Sequence, residues 1–339
     1  MSGRVPLPIV SEASLILACL LVAALAPLSA ARADTTLASL QAEIAAIAAA
    51  LDGDVGAAAI HLESGHGVAT GGEAPFFLAS VYKLPIAVAL LRRVDAGTVG
   101  LGDTVRLAPW DFRLGRATLT PNARDGAGAY TVAELLRAMI TDSDNSASDA
   151  ILARAGGPGA VTDTLLALGL DGIQVDRTEL QTLLEFYGIE DSLLETESTP
   201  GRVAALVQAS SSADRPAALD RFAREPRDAG SALSVAEFLD RLWRGELLSE
   251  GSTRLLLGHL EGGWIESRIP AGLPPKTRVW HKTGSYAAAA THDAGIVELP
   301  DGSHLVLVML VRQPQRDIDA AERAIAAIAR AAWEFWVAP

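Results

Sequence analysis

The apolar period changes twice along this 339-residue chain, and few folds accommodate that order. Asp54 to Leu62 reads as a strand, Glu63 to Gly67 as a turn, and Val68 resumes extended chain, so this part holds a hairpin. From Lys83 the spacing becomes helical. Helices are predicted over Lys83 to Asp95, over Leu135 to Ile140 behind a Thr131–Glu134 capping box, and over Asn145 to Arg154, Gly159 to Leu168, Ser234 to Arg244 and Ser252 to Leu260. Strand spacing returns at Arg278 to Gly284, His292 to Glu298 and His304 to Val311, the last two joined by a turn at Leu299 to Gly302. Ala-rich helical patterns, Thr35 to Leu51 and Ile318 to Val337, bracket the whole.

Strands near both ends with helices between them fit an α/β (α+β) fold. The expected form is an antiparallel sheet of about five strands built from both chain ends, flanked by the terminal helices, with an inserted all-helical lobe. Residues 34–95 and 276–339 would form the α/β lobe and 96–275 the helical lobe, with the active site between them. Residues 196–232, rich in Ser, Asp, Arg and Pro, read as a loop-rich insertion with one short helix, Arg202 to Gln208.

Residues 1–33 read as a secretory signal. Ser14 to Leu28 is apolar but shorter than the roughly 20 residues a membrane helix needs, and Ala31-Arg32-Ala33 gives a small-residue cleavage pattern before Asp34. The rival readings are an uncleaved anchor and a lipid-attachment box at Cys19. Cleavage would leave residues 34–339 as a secreted or periplasmic domain with no stable membrane association. It would also remove Cys19, the only cysteine, and with it any disulfide, thiol or Cys-zinc chemistry. The six histidines show no H-E-x-x-H spacing, so no metal and no cofactor are expected. Net charge is −13 and no Lys/Arg run is present, which argues against nucleic acid and anionic membranes as partners. A monomer is expected.

Of 28 Lys and Arg residues only three are lysine: Lys83, Lys276 and Lys282. Asparagine occurs only at Asn122 and Asn145. Two of these lysines and one asparagine fall in three short motifs, Ser80-x-x-Lys83, Ser143-Asp144-Asn145 and Lys282-Thr283-Gly284. Arginine stays protonated in proteins, whereas a lysine amine gives up its proton where its site demands it, and it can then activate a serine hydroxyl. Ser80 precedes the helix predicted over Lys83 to Asp95, near the N-terminus whose free N–H groups suit an oxyanion.

These motifs, in this order, resemble those of the class A β-lactamases and penicillin-binding proteins. Asp176-Arg177-Thr178-Glu179 resembles the D-R-x-E of the class A Ω-loop, here about 174–192. The resemblance implies a β-lactamase working on a small β-lactam or cell-wall peptide-like substrate. Ser80 would be the nucleophile, Lys83 its proton acceptor, directly or with Glu179 through a water, and Ser143 the relay to the leaving nitrogen. Glu179 would activate the water that releases the acyl group. Asn145, Lys282, Thr283, Gly284 and Ser285 would bind substrate, with the Ser80 and Ser285 N–H groups as oxyanion hole. Arg177 would clamp the loop neck through Asp191 or Glu190. Asp144 reads as structural.

The chain also departs from the family pattern. Leu183 stands where the resemblance leads one to expect an asparagine beside the hydrolytic water. The arginine expected on the strand after Lys282-Thr283-Gly284 is absent, leaving Arg268 either as its substitute or as a solvated surface charge. Two alternatives therefore stay open: a D,D-peptidase-like hydrolase with slow deacylation, and a non-catalytic β-lactam-binding relative.

Overall fold

The computed structural model describes residues 36–121, 124, 126–189, 198–210, 215–287, 289–312 and 317–338. The signal sequence read at 1–33 lies outside the described residues, as do Asn122, Glu190 and Asp191. The strands are β1 (Asp54–His61), β2 (Gly67–Thr70), β3 (Phe76–Phe77), β4 (Thr104–Leu107), β5 (Gly128–Thr131), β6 (Ala229–Gly230), β7 (Val279–Tyr286), β8 (Ala290–Glu298) and β9 (His304–Arg312). Helix α1 covers 36–49. It is followed by α2 (Lys83–Asp95), α3 (Val132–Ile140), α4 (Asn145–Ala155), α5 (Pro158–Ala167), α6 (Glu179–Phe186), α7 (Pro200–Ala209), α8 (Arg215–Ala223), α9 (Ala232–Trp243), α10 (Glu250–Glu261) and α11 (Ile318–Val337).

Five strands form one antiparallel sheet in the order β2-β1-β9-β8-β7. The central strand β9 is buried from Leu305 through Val311. Leu305, Leu307, Met309 and Val311 pack with Leu40 and Ile44 of α1 and with Ile325 and Ile328 of α11. Val306, Val308 and Leu310 belong to the opposite core, with Leu84 of α2 and Phe238 of α9. A strand covered on both faces has no polar side to alternate with, which explains its unbroken apolar run.

Helix α2 packs against α3, α4 and α5. Every residue from Lys83 through Leu91 is buried. One of them is a lysine with no exposed surface, a placement that burial disfavours unless the ammonium is fully bonded.

The helical lobe holds more than helices. Strands β4 and β5 pair as a ribbon, and β3 pairs with β6. At four residues or two, such strands leave almost no period to read. The segment expected to be loop-rich carries α7, α8 and β6. In α8, Ala218 and Phe222 are buried against Phe77 and Phe186. Phe222 meets Phe77, Phe186 and Tyr286 at ring-centroid distances of 5.8, 5.0 and 5.5 Å. Aromatic pairs of this kind each add about 0.5–1.5 kcal/mol beyond area burial. What α8 packs against comes from distant parts of the chain. No helix among the described residues is long and apolar enough to cross a membrane.

Candidate active site

Ser80 sits on a 3-10 turn, Ala79–Tyr82, that runs directly into α2. Residues three apart eclipse on such a turn, which places Ser80 and Lys83 along one edge. Ala79, just before the serine, has φ +46°, a left-handed conformation that costs about 1–3 kcal/mol in a non-glycine residue. Three bonds hold the segment in place. The Leu78 N–H donates to Asp228 O at 2.8 Å, the Val81 N–H to Leu78 O at 3.1 Å, and His292 Nε2 to Phe77 O at 2.8 Å. The tautomer of His292 follows from its other nitrogen, which accepts the Val311 N–H at 3.0 Å.

The turn packs on β7 at Gly284. A Cβ there would stand 2.8 Å from Leu78 O and 3.2 Å from the Val81 nitrogen. The glycine thus lets the strand approach the turn bearing Ser80. It does not line the cleft, whereas Thr283 and Ser285 do.

Lys83 Nζ donates to Ser143 O at 2.8 Å and to Asn145 Oδ1 at 2.9 Å, lies 3.4 Å from Ser143 Oγ, and is 3.1 Å from Glu179 Oε1. Ser143 itself has φ +59°. Asp144 fixes this bend: it caps α4 by accepting the Ala147 N–H at 2.8 Å and also accepts the Leu119 N–H at 2.9 Å and the Thr118 N–H. Asn145 Nδ2 donates to Leu114 O at 3.1 Å, so its amide spans from Lys83 to the cleft rim.

Lys282 Nζ donates to Ser143 Oγ at 3.0 Å and to Thr283 O at 3.0 Å. The Ser143 hydroxyl therefore lies between the two lysine amines. Burial first, and next the charge of Lys83, hold the Lys282 amine well below its usual range. Just before it, His281 is buried with Nδ1 2.9 Å from Asp293 Oδ1.

Arg268 is 2 % exposed, which overturns its reading as a solvated charge. It donates to Ser285 Oγ at 2.7 Å, to Gly284 O at 3.1 Å and to His292 O at 2.7 Å, and pairs with Glu322 at 3.1 Å. Its cation stands directly behind the Ser285 hydroxyl.

Glu179 opens α6 after the N-cap Thr178. The Glu179 N–H donates to Asp149 Oδ1 at 2.7 Å, and Asp149 also pairs with Arg113. Asp149 is buried, and that burial raises its pKa against the pull of Arg113. Among the described residues, Arg177 closes the loop neck on three carboxylates. It bonds Asp228 Oδ2 at 2.7 Å, Glu185 at 2.8 Å and Glu225 at 3.3 Å. Asp228 Oδ1 also accepts the N–H groups of Asp176 at 2.7 Å and Arg177 at 3.1 Å. The loop neck thus joins 176 to 228, and α6, α7 and α8 lie within it.

The cleft formed by these parts has a volume of about 390 Å³. Ser80, Ser143, Asn145, Glu179, Thr283 and Ser285 line it together, with Leu183, Phe186 and Tyr286 as an apolar wall. A hydroxyl, two buried amines and a carboxylate around one cleft are the groups needed for acyl transfer with proton shuttling.

Residues 39–336 match the profile of the beta-lactamase enzyme family. The chain belongs to that family. It is 27 % identical over 294 residues to Beta-lactamase CTX-M-97 of Escherichia coli, covering 86 % of this chain and 87 % of that protein. A crystal structure of a beta-lactamase from Chitinophaga pinensis is similar at 26 % identity with a TM-score of 0.70, over 87 % of this chain and 98 % of that one. A mutant of PBP-A, in acyl-enzyme complex with penicillin G, shares the fold at 24 % identity and a TM-score of 0.71, over 88 % of this chain and 97 % of that one. This member of the β-lactamase family is thus a serine hydrolase with class A architecture.

Sequence reasoning missed several residues that hold this cleft together. His292, Asp149 and Asp228 act over long separations, and no local pattern marks them. A weak signal did exist for Asp228: Arg177 required an acidic partner, and Glu225 to Asp228 offered one. Phe112 is buried in the core and Trp110 stays outside the cleft lining.

Proposed function

We propose that this protein is an exported serine β-lactamase that hydrolyses the β-lactam amide through an acyl-enzyme on Ser80. The observation that carries the reading is Lys83 Nζ, buried within 3.4 Å of Ser143 Oγ, Asn145 Oδ1 and Glu179 Oε1. Ser80 Oγ attacks the lactam carbonyl, and its proton passes to Lys83, directly or with Glu179 through a water. The backbone N–H groups of Ser80 and Ser285 stabilise the oxyanion. As the carbon–nitrogen bond breaks, the nitrogen takes a proton through Ser143, which Lys282 holds in place. Glu179 then removes a proton from water, the resulting hydroxide attacks the ester, and Ser80 regains its proton. Thr283 and Ser285, the latter backed by Arg268, bind the substrate carboxylate. The leader at 1–33 would carry the chain to the periplasm or beyond.

A second reading is a D,D-peptidase-like hydrolase with slow deacylation. It is favoured by Leu183, an apolar side chain lining the cleft where a water-holding amide was expected. Intact-mass kinetics with one penicillin and one cephalosporin separate the two. Wild type should form and shed an adduct rapidly, Ser80→Ala should form none, and Glu179→Ala should retain it. A wild-type adduct that persists for hours would replace the first reading with the second.

A further inference from the structure

Arg116 and Trp264 both line the cleft and meet at its edge. The guanidinium carbon of Arg116 lies 3.9 Å from the centroid of the Trp264 ring, inside the reach of a cation–π contact. They come from different segments. Arg116 precedes β5, and its carbonyl accepts the Asn145 N–H at 3.0 Å. Trp264 lies between α10 and β7. A glycine precedes each of them and lets its segment come close to the site. A Cβ on Gly115 would stand 2.9 Å from Asn145 Nδ2, and one on Gly263 would stand 2.7 Å from His281 Nε2, beside Lys282. The pair therefore borders the part of the cleft that holds Ser143 and Lys282, whereas Leu183 and Phe186 belong to α6, on the side of Glu179. Each side chain has capacity left for a ligand. Trp264 is 52 % exposed, so much of its ring is open. Arg116 spends Nε on Asp142 O at 3.0 Å. Among the described residues it has no ion pair, and the Asp142 carboxylate pairs with Arg137 instead, at 3.1 Å. The terminal N–H groups of Arg116 are left to donate.

We propose that Arg116 and Trp264 form a specificity platform for a planar, electron-poor substituent on the ring fused to the β-lactam. The substituent stacks on the indole, and its acceptor oxygens take the open guanidinium N–H groups. The proposal rests on the β-lactamase reading of the site. In that reading the leaving nitrogen faces Ser143, and the substrate carboxylate lies by Thr283 and Ser285. A substituent on the ring carbon next to the one bearing the carboxylate then projects towards this part of the cleft, away from the acylamino side chain. Cephalosporins carry an extended substituent at that carbon, whereas penicillins carry only methyl groups there. Stacking by Arg116 fixes the plane of the indole before substrate arrives, which reduces the ordering that binding has to impose. An offset stack on an indole tolerates many ring shapes, and the guanidinium adds a preference for acceptor oxygens.

The test uses two cephalosporins with the same thienylacetyl side chain. Nitrocefin carries a dinitrostyryl group on the ring carbon concerned, and cephalothin carries an acetoxymethyl group. The full chain is compared as wild type, Trp264→Leu, Trp264→Phe, Arg116→Gln and the Trp264→Leu/Arg116→Gln double variant. Trp264→Leu should lower the nitrocefin-to-cephalothin ratio of kcat/KM about fivefold, the effect of one lost aromatic stack. Arg116→Gln should lower it about threefold, the effect of one lost cation contact at an exposed site. The double variant should fall short of the product of the two, because residues in contact are coupled. Trp264→Phe keeps a ring and should hold the ratio within about twofold of wild type. A ratio unmoved in Trp264→Leu overturns the assignment, as does one that falls equally far in Trp264→Phe. Equal losses on both cephalosporins with a lowered Tm show a merely structural pair and overturn it too. If wild type turns over both compounds and the ratio does not move, only the platform falls. If wild type forms no adduct on Ser80 with either compound, the β-lactamase reading falls and takes the platform with it.

Discussion

The backbone N–H of Glu179 donates to the Asp149 carboxylate at 2.7 Å, so helix α4 holds the first turn of helix α6. Asp149 also takes the guanidinium of Arg113. Asp149→Ala would leave that cation and the first amides of α6 without their acceptor. We expect a loss of about 3–5 kcal/mol, the usual effect of breaking a buried ion pair. Deacylation should suffer more than acylation, because Glu179 moves while Ser80 does not. Urea midpoints and single-turnover adduct kinetics report the two effects separately.

Gly284 governs how closely β7 approaches the turn bearing Ser80. In Gly284→Ala the new methyl would meet Leu78 O at 2.8 Å, and backbone must shift to relieve it. Overpacking of this kind costs about 1–3 kcal/mol. A displaced Ser80 should slow acylation by about 100-fold. Stopped-flow acylation with a chromogenic cephalosporin checks the rate, and thermal denaturation checks the stability.

Lys83 is a lysine in a chain that otherwise favours arginine. Both Lys83→Arg and Lys83→Met should lose about 10²–10⁴-fold in acylation rate, the usual contribution of a general base. Arginine keeps the charge but not the ability to exchange a proton. A Lys83→Arg protein that acylates at the wild-type rate would remove proton transfer from the role of this residue. Adduct formation by mass spectrometry is the measurement.

His292 makes the fold acid-sensitive. Burial holds its pKa at about 4 against an ordinary 6.5. The unfolded chain therefore binds a proton between those values that the folded chain does not. The stability concerned is present above pH 6.5 and is lost as the pH falls towards 4, about 3 kcal/mol in all. Wild type should lose that much more than His292→Gln between pH 7 and 4. Urea titrations of both proteins at several pH values give the comparison. Because His292 bonds Phe77 O, the Ser80 segment should loosen in the same window.

Sequence by itself determined the elements with a strong local period or cap. The Thr131–Glu134 capping box, the span of α11 and the three C-terminal strands are where local spacing placed them. Rare residue types in short motifs also singled out Lys83, Asn145 and Lys282, and the resemblance those motifs carry brought in Ser80, Ser143 and Glu179. Tertiary structure alone decided what supports them. The loop neck closes on Asp228, and α8 exists because Phe222 finds Phe77 and Phe186. Arg268 is buried because Ser285, Gly284, His292 and Glu322 converge on it from separate elements. The physical reason is the same in each case. Periods and caps are set by neighbours within a turn or two of chain, whereas the partners of a buried charge or polar group come from segments that meet only after folding.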